Sequence, residues 1–369
     1  MDNQAVLIVA ASGRALAASA RRGGYVPLVV DWFGDADTLV LALAHALIED
    51  GLARGMTAAA LDAAFTKVTN GQRPCGVVCG TGFEDRPGLI AHLARNWRVF
   101  GTDAATLATL KNPPAFASLC DQCGIPYPET TLVRPQDTTG WLAKRKGGAG
   151  GSHVGPAAER EAAHDAYYQR QVDGVPVSAL FLADRRRALV LGFSAQWARP
   201  APRQPFRYGG AVRPAGLHDP IVGALTESID RLAATIPLAG LNSADFLVAG
   251  DGFRLLEINP RPSATLDIFE PPGGSLFALH MSACAGTLDF AAPSLPGAMA
   301  TALVYAERDL IVPALQWPDW TADRPHAGAA IGVGAPLCTV HAFATTAAEA
   351  RQLVDDRLAT VLAWTHARV

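Results

Sequence analysis

The run Phe253-Arg254-Leu255-Leu256-Glu257-Ile258-Asn259-Pro260-Arg261-Pro262 constrains this chain more than any other segment. It reads as a largely apolar strand, yet a carboxylate, an amide and a guanidinium recur at every second position. Side chains two apart on a strand share a face. Glu257, Asn259 and Arg261 are therefore expected to project together, with Leu256 and Ile258 packed behind them. Gly240 to Ala249 reads as the hairpin partner across Gly250-Asp251-Gly252, which leans Asp245 toward Glu257. Oxygen ligands from Asp245, Glu257 and Asn259, completed by phosphates and water, suit one or two Mg2+, with Mn2+ an acceptable substitute. No His or Cys accompanies them, so zinc is poorly supported. Without a metal the two carboxylates would repel and resist ionisation. Arg261, stiffened between two prolines, can brace an anionic oxygen pair.

A glycine-rich loop gives that face a second half. Lys144-Arg145-Lys146-Gly147-Gly148-Ala149-Gly150-Gly151-Ser152-His153 follows the short strand Trp141 to Lys144. A nearly bare backbone can turn its N–H groups around anionic oxygens. No Gly-Lys-Ser/Thr closes the loop, so it is not a Walker A motif. Taken alone it reads as a flexible surface loop. Beside an acidic metal face it reads as a phosphate cover. Lys144 is then expected at an α- or β-phosphate, Gly148, Gly150 and Gly151 over the β- and γ-phosphates, and His153 near the terminal one.

The rest of the chain reads as α/β. Ala5 to Ala10 is an uninterrupted apolar run, as in a buried parallel strand. Val26 to Val30 follows with Asp31 at its end, then Gly76 to Cys79 and Val99-Phe100. Only Gly13 stands in the first turn and G-x-G-x-x-G is absent. This reads as a Rossmann-like unit without a dinucleotide. Lys111-Asn112-Pro113-Pro114 marks a boundary. Tyr167 to Val172 and Val175 to Leu182 read as a hairpin turned at Asp173-Gly174, and Ala198 to Gly216 as a loop. The expected divisions are 1–112, 113–295 and 296–369.

Net charge is −3, from 31 basic and 34 acidic residues, which does not suit a nucleic-acid surface. The apolar stretches are broken by charge, so no membrane span is expected. The acidic start lacks a signal-peptide pattern, which reads as cytoplasmic. Six cysteines include Cys120 and Cys123, whose spacing fits half a zinc site, but no second close pair completes it. Buried free thiols are the plainer reading.

Together these segments resemble the ATP-grasp superfamily of ATP-dependent carboxylate–amine or carboxylate–thiol ligases. Lys144 to Gly151 is similar to the family's lysine and glycine loop, departing at Arg145, where a proline is usual. Gln169-Arg170-Gln171-Val172-Asp173-Gly174 looks like the adenine-binding strand and turn. There Arg170 replaces a frequent acidic residue, and main-chain groups near Gln171 and Val172 are left to hold the base. Leu241 to Phe246 looks like the first metal strand, and Glu257-Ile258-Asn259-Pro260-Arg261 like the second. Lys111 falls where a further nucleotide-facing lysine is common. The resemblance implies an ATP-grasp fold with a Rossmann-like domain before it and a small α+β domain after it. It implies ATP and Mg2+ as cofactors and an acyl-phosphate intermediate, with small-molecule acid and amine substrates. A homodimer is common in similar enzymes.

The substrates are less legible. Trp197, Arg199, Arg203, Arg207, Tyr208 and Arg213 could clamp and stack on an acid, with Arg213 or the segment 208–210 facing the acceptor. The segment 317–325, with two tryptophans and two aspartates, could recognise an amine or seat the last unit. Within the superfamily the layout is similar to small ligases of cofactor biosynthesis, among them tyramine–glutamate ligases of methanofuran and methylofuran synthesis. Two other readings stay open, a non-catalytic nucleotide-binding scaffold and a biotin-carboxylase-like carboxylation.

Overall fold

A computed structural model describes residues 4–161 and 163–366. The first unit is a parallel sheet in the order β3-β2-β1-β4-β5. Its strands are β1 (Gln4–Val9), β2 (Tyr25–Asp31), β3 (Ala44–Leu47), β4 (Val77–Cys79) and β5 (Val99–Phe100). Val6 to Val9 are completely buried, as their unbroken apolar run requires. The helices α1 (Arg14–Arg22), α2 (Ala36–Leu41), α3 (Gly51–Arg54), α4 (Ala58–Thr69), α5 (Pro87–Leu93) and α6 (Ala104–Lys111) cover it. Asp31 is taken up locally: its carboxylate accepts from Gly13 N (3.1 Å), Gly34 N (2.9 Å) and His45 Nε2 (2.9 Å).

The middle unit opens with α7 (Pro113–Cys123), whose N-cap Asn112 accepts from Ala115 N. Cys120 and Cys123 are buried on its inner side, and neither is bridged. A four-stranded sheet, β6-β9-β7-β8, follows from β6 (Thr130–Thr131), β7 (Trp141–Arg145), β8 (Gly155–Pro156) and β9 (Ala166–Arg170). Strand β10 (Val175–Asp184) then pairs with β11 (Ala188–Ala198) and β13 (Ala239–Ala249), not with β9. The hairpin expected at Asp173-Gly174 is therefore a crossing between two sheets. The turn composition is real, but each strand finds its partners elsewhere.

The expected loop 198–216 contains a strand, β12 (Tyr208–Arg213). Its glycines signal a loop, but they serve close packing. A Cβ at Gly210 would collide with the Trp197 ring and Thr301 O. The large sheet runs β14-β13-β10-β11-β12-β15-β19-β17. Here β14 is Gly252–Asn259, β15 Ala298–Tyr305, β17 Thr321–Ala322 and β19 Pro336–Ala344, while β16 (Leu310–Ile311) and β18 (Ala330–Ile331) pair with each other. The last unit thus continues the central sheet without a break at residue 296. Helix α8 (Asp219–Thr235) covers one face, α9 (Leu266–Phe269) and α10 (Leu276–Cys284) the other, and α11 (Ala347–His366) packs on β15 and β19. Among the described residues, no helix is long and apolar enough to cross a membrane.

Candidate active site

The acidic face is set by antiparallel register. Asp245 on β13 lies directly opposite Glu257 on β14. The pairing slips between Asp245 and Phe246, leaving Leu256 as the extra residue of a bulge. Leu255 and Ile258 enter the core, whereas Leu256 joins Glu257 in lining the cleft. The bulge thus breaks the expected alternation at Leu256 but keeps Glu257 and Asn259 on one side. Asn259 Nδ2 donates to Asp245 Oδ2 (3.1 Å) and Glu257 Oε1 (3.3 Å). Lys111, at the end of α6, donates to Asn259 Oδ1 (2.7 Å) and Glu257 Oε2 (3.3 Å).

Electrostatics separates the two carboxylates. Burial, then the Glu257 charge, raises the Asp245 pKa. Burial works against Glu257 too, but Lys111, Lys144 and His153 outweigh it and hold its carboxyl below the usual range. One ionised carboxylate and one reluctant one suit a site that gains a cation. Asp245 Oδ1 is buried without a hydrogen-bond partner. Among the described residues, no group of three or more His, Cys, Asp or Glu could hold a metal by itself. Two carboxylates and an amide fit a hard divalent cation that brings phosphate oxygens as its remaining ligands.

Lys144, on β7, donates to Gln169 Oε1 at 2.5 Å, and Gln169 Nε2 donates to Thr130 Oγ1 at 3.2 Å. Burial lowers the Lys144 pKa, and Glu257 and Asp245 oppose the shift. Gly147, Gly150 and Gly151 all adopt positive φ (66°, 68° and 70°). The loop is folded down: Gly150 O accepts from Tyr208 N (2.8 Å), and Gly151 packs against Phe206 O. His153 lies against Gly148, and burial pushes its pKa down to about 4. Beneath the loop a cavity of about 40 Å³ is lined by Lys111, Phe116, Tyr127, Thr130, Gly148 and Gln169, among others. Gln171 and Val172 lie outside that lining; Gln171 N donates to Gly140 O (2.8 Å). Arg170 sits over the Trp141 ring at 4.4 Å.

Arg261 approaches the face from beyond β14, and its Nε donates to Glu84 Oε1 at 2.7 Å. Glu84, only 4% exposed, also accepts from Gly82 N and Phe83 N. Burial would raise the Glu84 pKa, but Arg261 and Lys111 lower it. Sequence reasoning missed Glu84; the one signal was its place just after Gly80-Thr81-Gly82 at the end of β4.

Three arginines of the expected acid clamp, Arg199, Arg207 and Arg213, are engaged by groups of the protein itself. Arg213 is 5% exposed, and its guanidinium donates to the carbonyls of Ile268, Leu295 (3.3 Å), Pro296 (3.4 Å) and Gly297 (3.1 Å). It ties the sheet to the 295–297 connection and is unavailable to a substrate. Arg351 stacks on Trp197 at 3.5 Å and Arg207 on Tyr305 at 3.8 Å, while Arg199 pairs with Glu307 at 3.5 Å. In the segment 317–325, Trp320 packs against Trp364 and Arg357 of α11, inside the last unit itself. Trp317 and Asp319 line a separate open cleft of about 640 Å³.

Residues 116–265 match the ATP-grasp domain family. The chain carries an ATP-grasp domain. Its fold is similar to a Campylobacter jejuni biotin carboxylase complexed with β-γ-ATP, with a TM-score of 0.73, 14% identity, and 96% of this chain and 91% of that one covered. A biotin carboxylase domain dimer of Hydrogenobacter thermophilus 2-oxoglutarate carboxylase, in complex with MgADP, ADP and bicarbonate, superposes at a TM-score of 0.74, with 11% identity and 97% and 89% coverage. N5-carboxyaminoimidazole synthase of Aspergillus clavatus, with ADP and 5-aminoimidazole ribonucleotide, gives 0.72, 14%, and 98% and 99%. At these identities the likeness extends to the ATP-grasp fold.

Proposed function

We propose that this chain is an ATP-dependent ligase that joins a carboxylate to an amine through an acyl phosphate. The observation that carries the reading is the convergence of Asp245, Glu257 and Asn259 with Lys111 and Lys144 under a glycine loop. Oxygen ligands on one wall and ammonium groups beside them suit a metal-bound polyphosphate. Asp245, Glu257 and Asn259 hold Mg2+, which neutralises phosphate charge when bound. Lys111 leaves its carboxylate and amide partners for phosphate oxygens, and Lys144 faces the α- or β-phosphate. Gly148, Gly150 and Gly151 cover the β- and γ-phosphates and exclude water.

In the reaction a substrate carboxylate oxygen attacks the γ-phosphorus and ADP leaves. The amine nitrogen then attacks the acyl carbonyl, phosphate leaves and the amine gives up a proton. Arg261, oriented by Glu84, braces the acyl phosphate. The acid is glutamate or another amino acid and the partner a small amine, in a cofactor-biosynthetic setting. Bicarbonate is the second candidate acid, favoured by the Hydrogenobacter complex that contains it.

The test is Mg-ATP turnover against a panel of acids and amines headed by L-glutamate with tyramine, plus bicarbonate with biotin. Mass spectrometry identifies any product. Amine-dependent ADP release with a new amide is expected. Turnover only with bicarbonate replaces the amide reading with carboxylation, and Mg-ATP binding without any product favours a scaffold.

A further inference from the structure

A second bulge bears on the same site. In the β11–β12 pairing, Trp197 opposes Gly210 but Ala198 opposes Tyr208, so Gly209 is the extra residue. Opposed residues in an antiparallel ladder share a face. Tyr208 therefore lies on the face of Ala198 and, two and four residues back along β11, of Gln196 and Ser194. Ser194 opposes Ser178, and Ser178 opposes Asp245. Without the bulge Gly209 would hold this position and the tyrosine would point away. Bulges re-aim single side chains beside functional sites in this manner.

The residue is fixed at both main-chain groups. Its N–H donates to Gly150 O, and its carbonyl accepts from Tyr305 Oη, each at 2.8 Å. Its hydroxyl is buried and has no hydrogen-bond partner. Burial, with Asp245 next, raises the phenol pKa, so the group keeps its proton and can donate. Buried hydroxyls without partners are rare in native proteins and call for an acceptor. We infer that the Tyr208 hydroxyl donates a hydrogen bond to the γ-phosphoryl group of the nucleotide, on the Asp245 side of the site. The inference rests on the nucleotide reading above. It follows from the loop contact, since the chain segment proposed to cover the β- and γ-phosphates is bonded to Tyr208 itself.

Tyr208→Phe in the full chain removes one oxygen and keeps the ring and both main-chain bonds. The measurement is the affinity of wild type and variant for Mg-ADP and for Mg-AMPPNP by isothermal titration, which requires no knowledge of the acid or amine. Mg-ADP binding is expected to stay within about twofold. Mg-AMPPNP binding should weaken by about tenfold, as for a lost hydrogen bond to a charged group. Equal affinities for wild type and variant would overturn the inference. So would equal weakening toward both nucleotides, which would make the hydroxyl a support for Asp245 or for packing. If wild type binds neither nucleotide, the reading of the site fails, an outcome distinct from the other two.

Discussion

Glu257 is the single residue on which most of the site's charges act. Lys111, Lys144 and His153 all lower its pKa. Glu257→Gln keeps the shape and the strand while removing the charge and one of the proposed metal ligands. ADP release should fall by about a thousandfold, against a Tm change of no more than a few degrees, because a half-open charged site is not where the fold is held. Turnover assays and thermal melts on the same preparation check this; near-normal turnover would remove Glu257 from the metal site. Asp35 makes the opposite kind of prediction. Burial, with Asp323, Asp31 and Asp37 nearby, pushes its pKa up to about 8. A folded-state pKa above the unfolded value gives stability that is present below about pH 4 and lost as pH rises through about 8. Asp35→Asn cannot ionise, so its stability relative to wild type should rise by about 4 kcal/mol between pH 5 and pH 9, at about 1.4 kcal/mol for each pH unit from 5 up to the folded pKa. Urea melts at the two pH values decide it, and equal differences at both would refute the ionisation.

Among the elements, the glycine loop has the sharpest requirement. Gly151 holds φ +70°, and a Cβ there would collide with Phe206 O. Gly151→Ala should therefore leave the loop unable to lie down, raising the KM for Mg-ATP about tenfold while costing only about 1 kcal/mol of stability. Steady-state kinetics and limited proteolysis within 147–153 read the two effects. This loop and the β13–β14 hairpin were legible because each obeys a short-range rule, glycine density in one and period-two polarity in the other. The same rules hid other features. The bulge at Leu256 depends on the register of two strands, which no single strand encodes. Strand β12 was concealed by glycines that a loop would also use, though here they let Trp197 and Thr301 approach. Arg213 had the right chemistry for a substrate clamp, but the 295–297 carbonyls that capture it lie about 80 residues away in sequence. The turn at Asp173-Gly174 was read correctly as a change of direction and wrongly as a hairpin, because partner choice is a long-range matter.

At the scale of the molecule, one buried cation joins all three units. Arg14, at the start of α1, is 8% exposed and pairs with Asp267 of α9 and with Asp323, which follows β17. Ser12 Oγ (2.9 Å) and Thr339 Oγ1 (2.6 Å) also donate to Asp323, and the N–H groups of Asp323 and Arg324 donate to Asp37 of the first unit. Burial disfavours the ionised form of both Asp267 and Asp323, yet Arg14 holds each carboxyl below its usual pKa. Such depressed values give stability that is present above the unfolded Asp pKa of about 3.9 and lost as pH falls toward the folded ones. Arg14→Met fills the space but strands two buried carboxylates. It should cost about 3–5 kcal/mol near neutral pH, the usual price of breaking a buried pair from one side. The sign then reverses for the variant. Unpaired, both carboxyls take raised pKa values, so protonation relieves the variant while it weakens wild type. The gap between the two should narrow steadily as pH falls from about 7 to about 4.5. Adding Asp267→Asn to Arg14→Met should recover part of the loss at neutral pH, since it removes one stranded charge. Urea unfolding of the three proteins across that range tests the account. A gap that does not change with pH would mean that Arg14 joins the units by packing, and that its charge contributes nothing to their union.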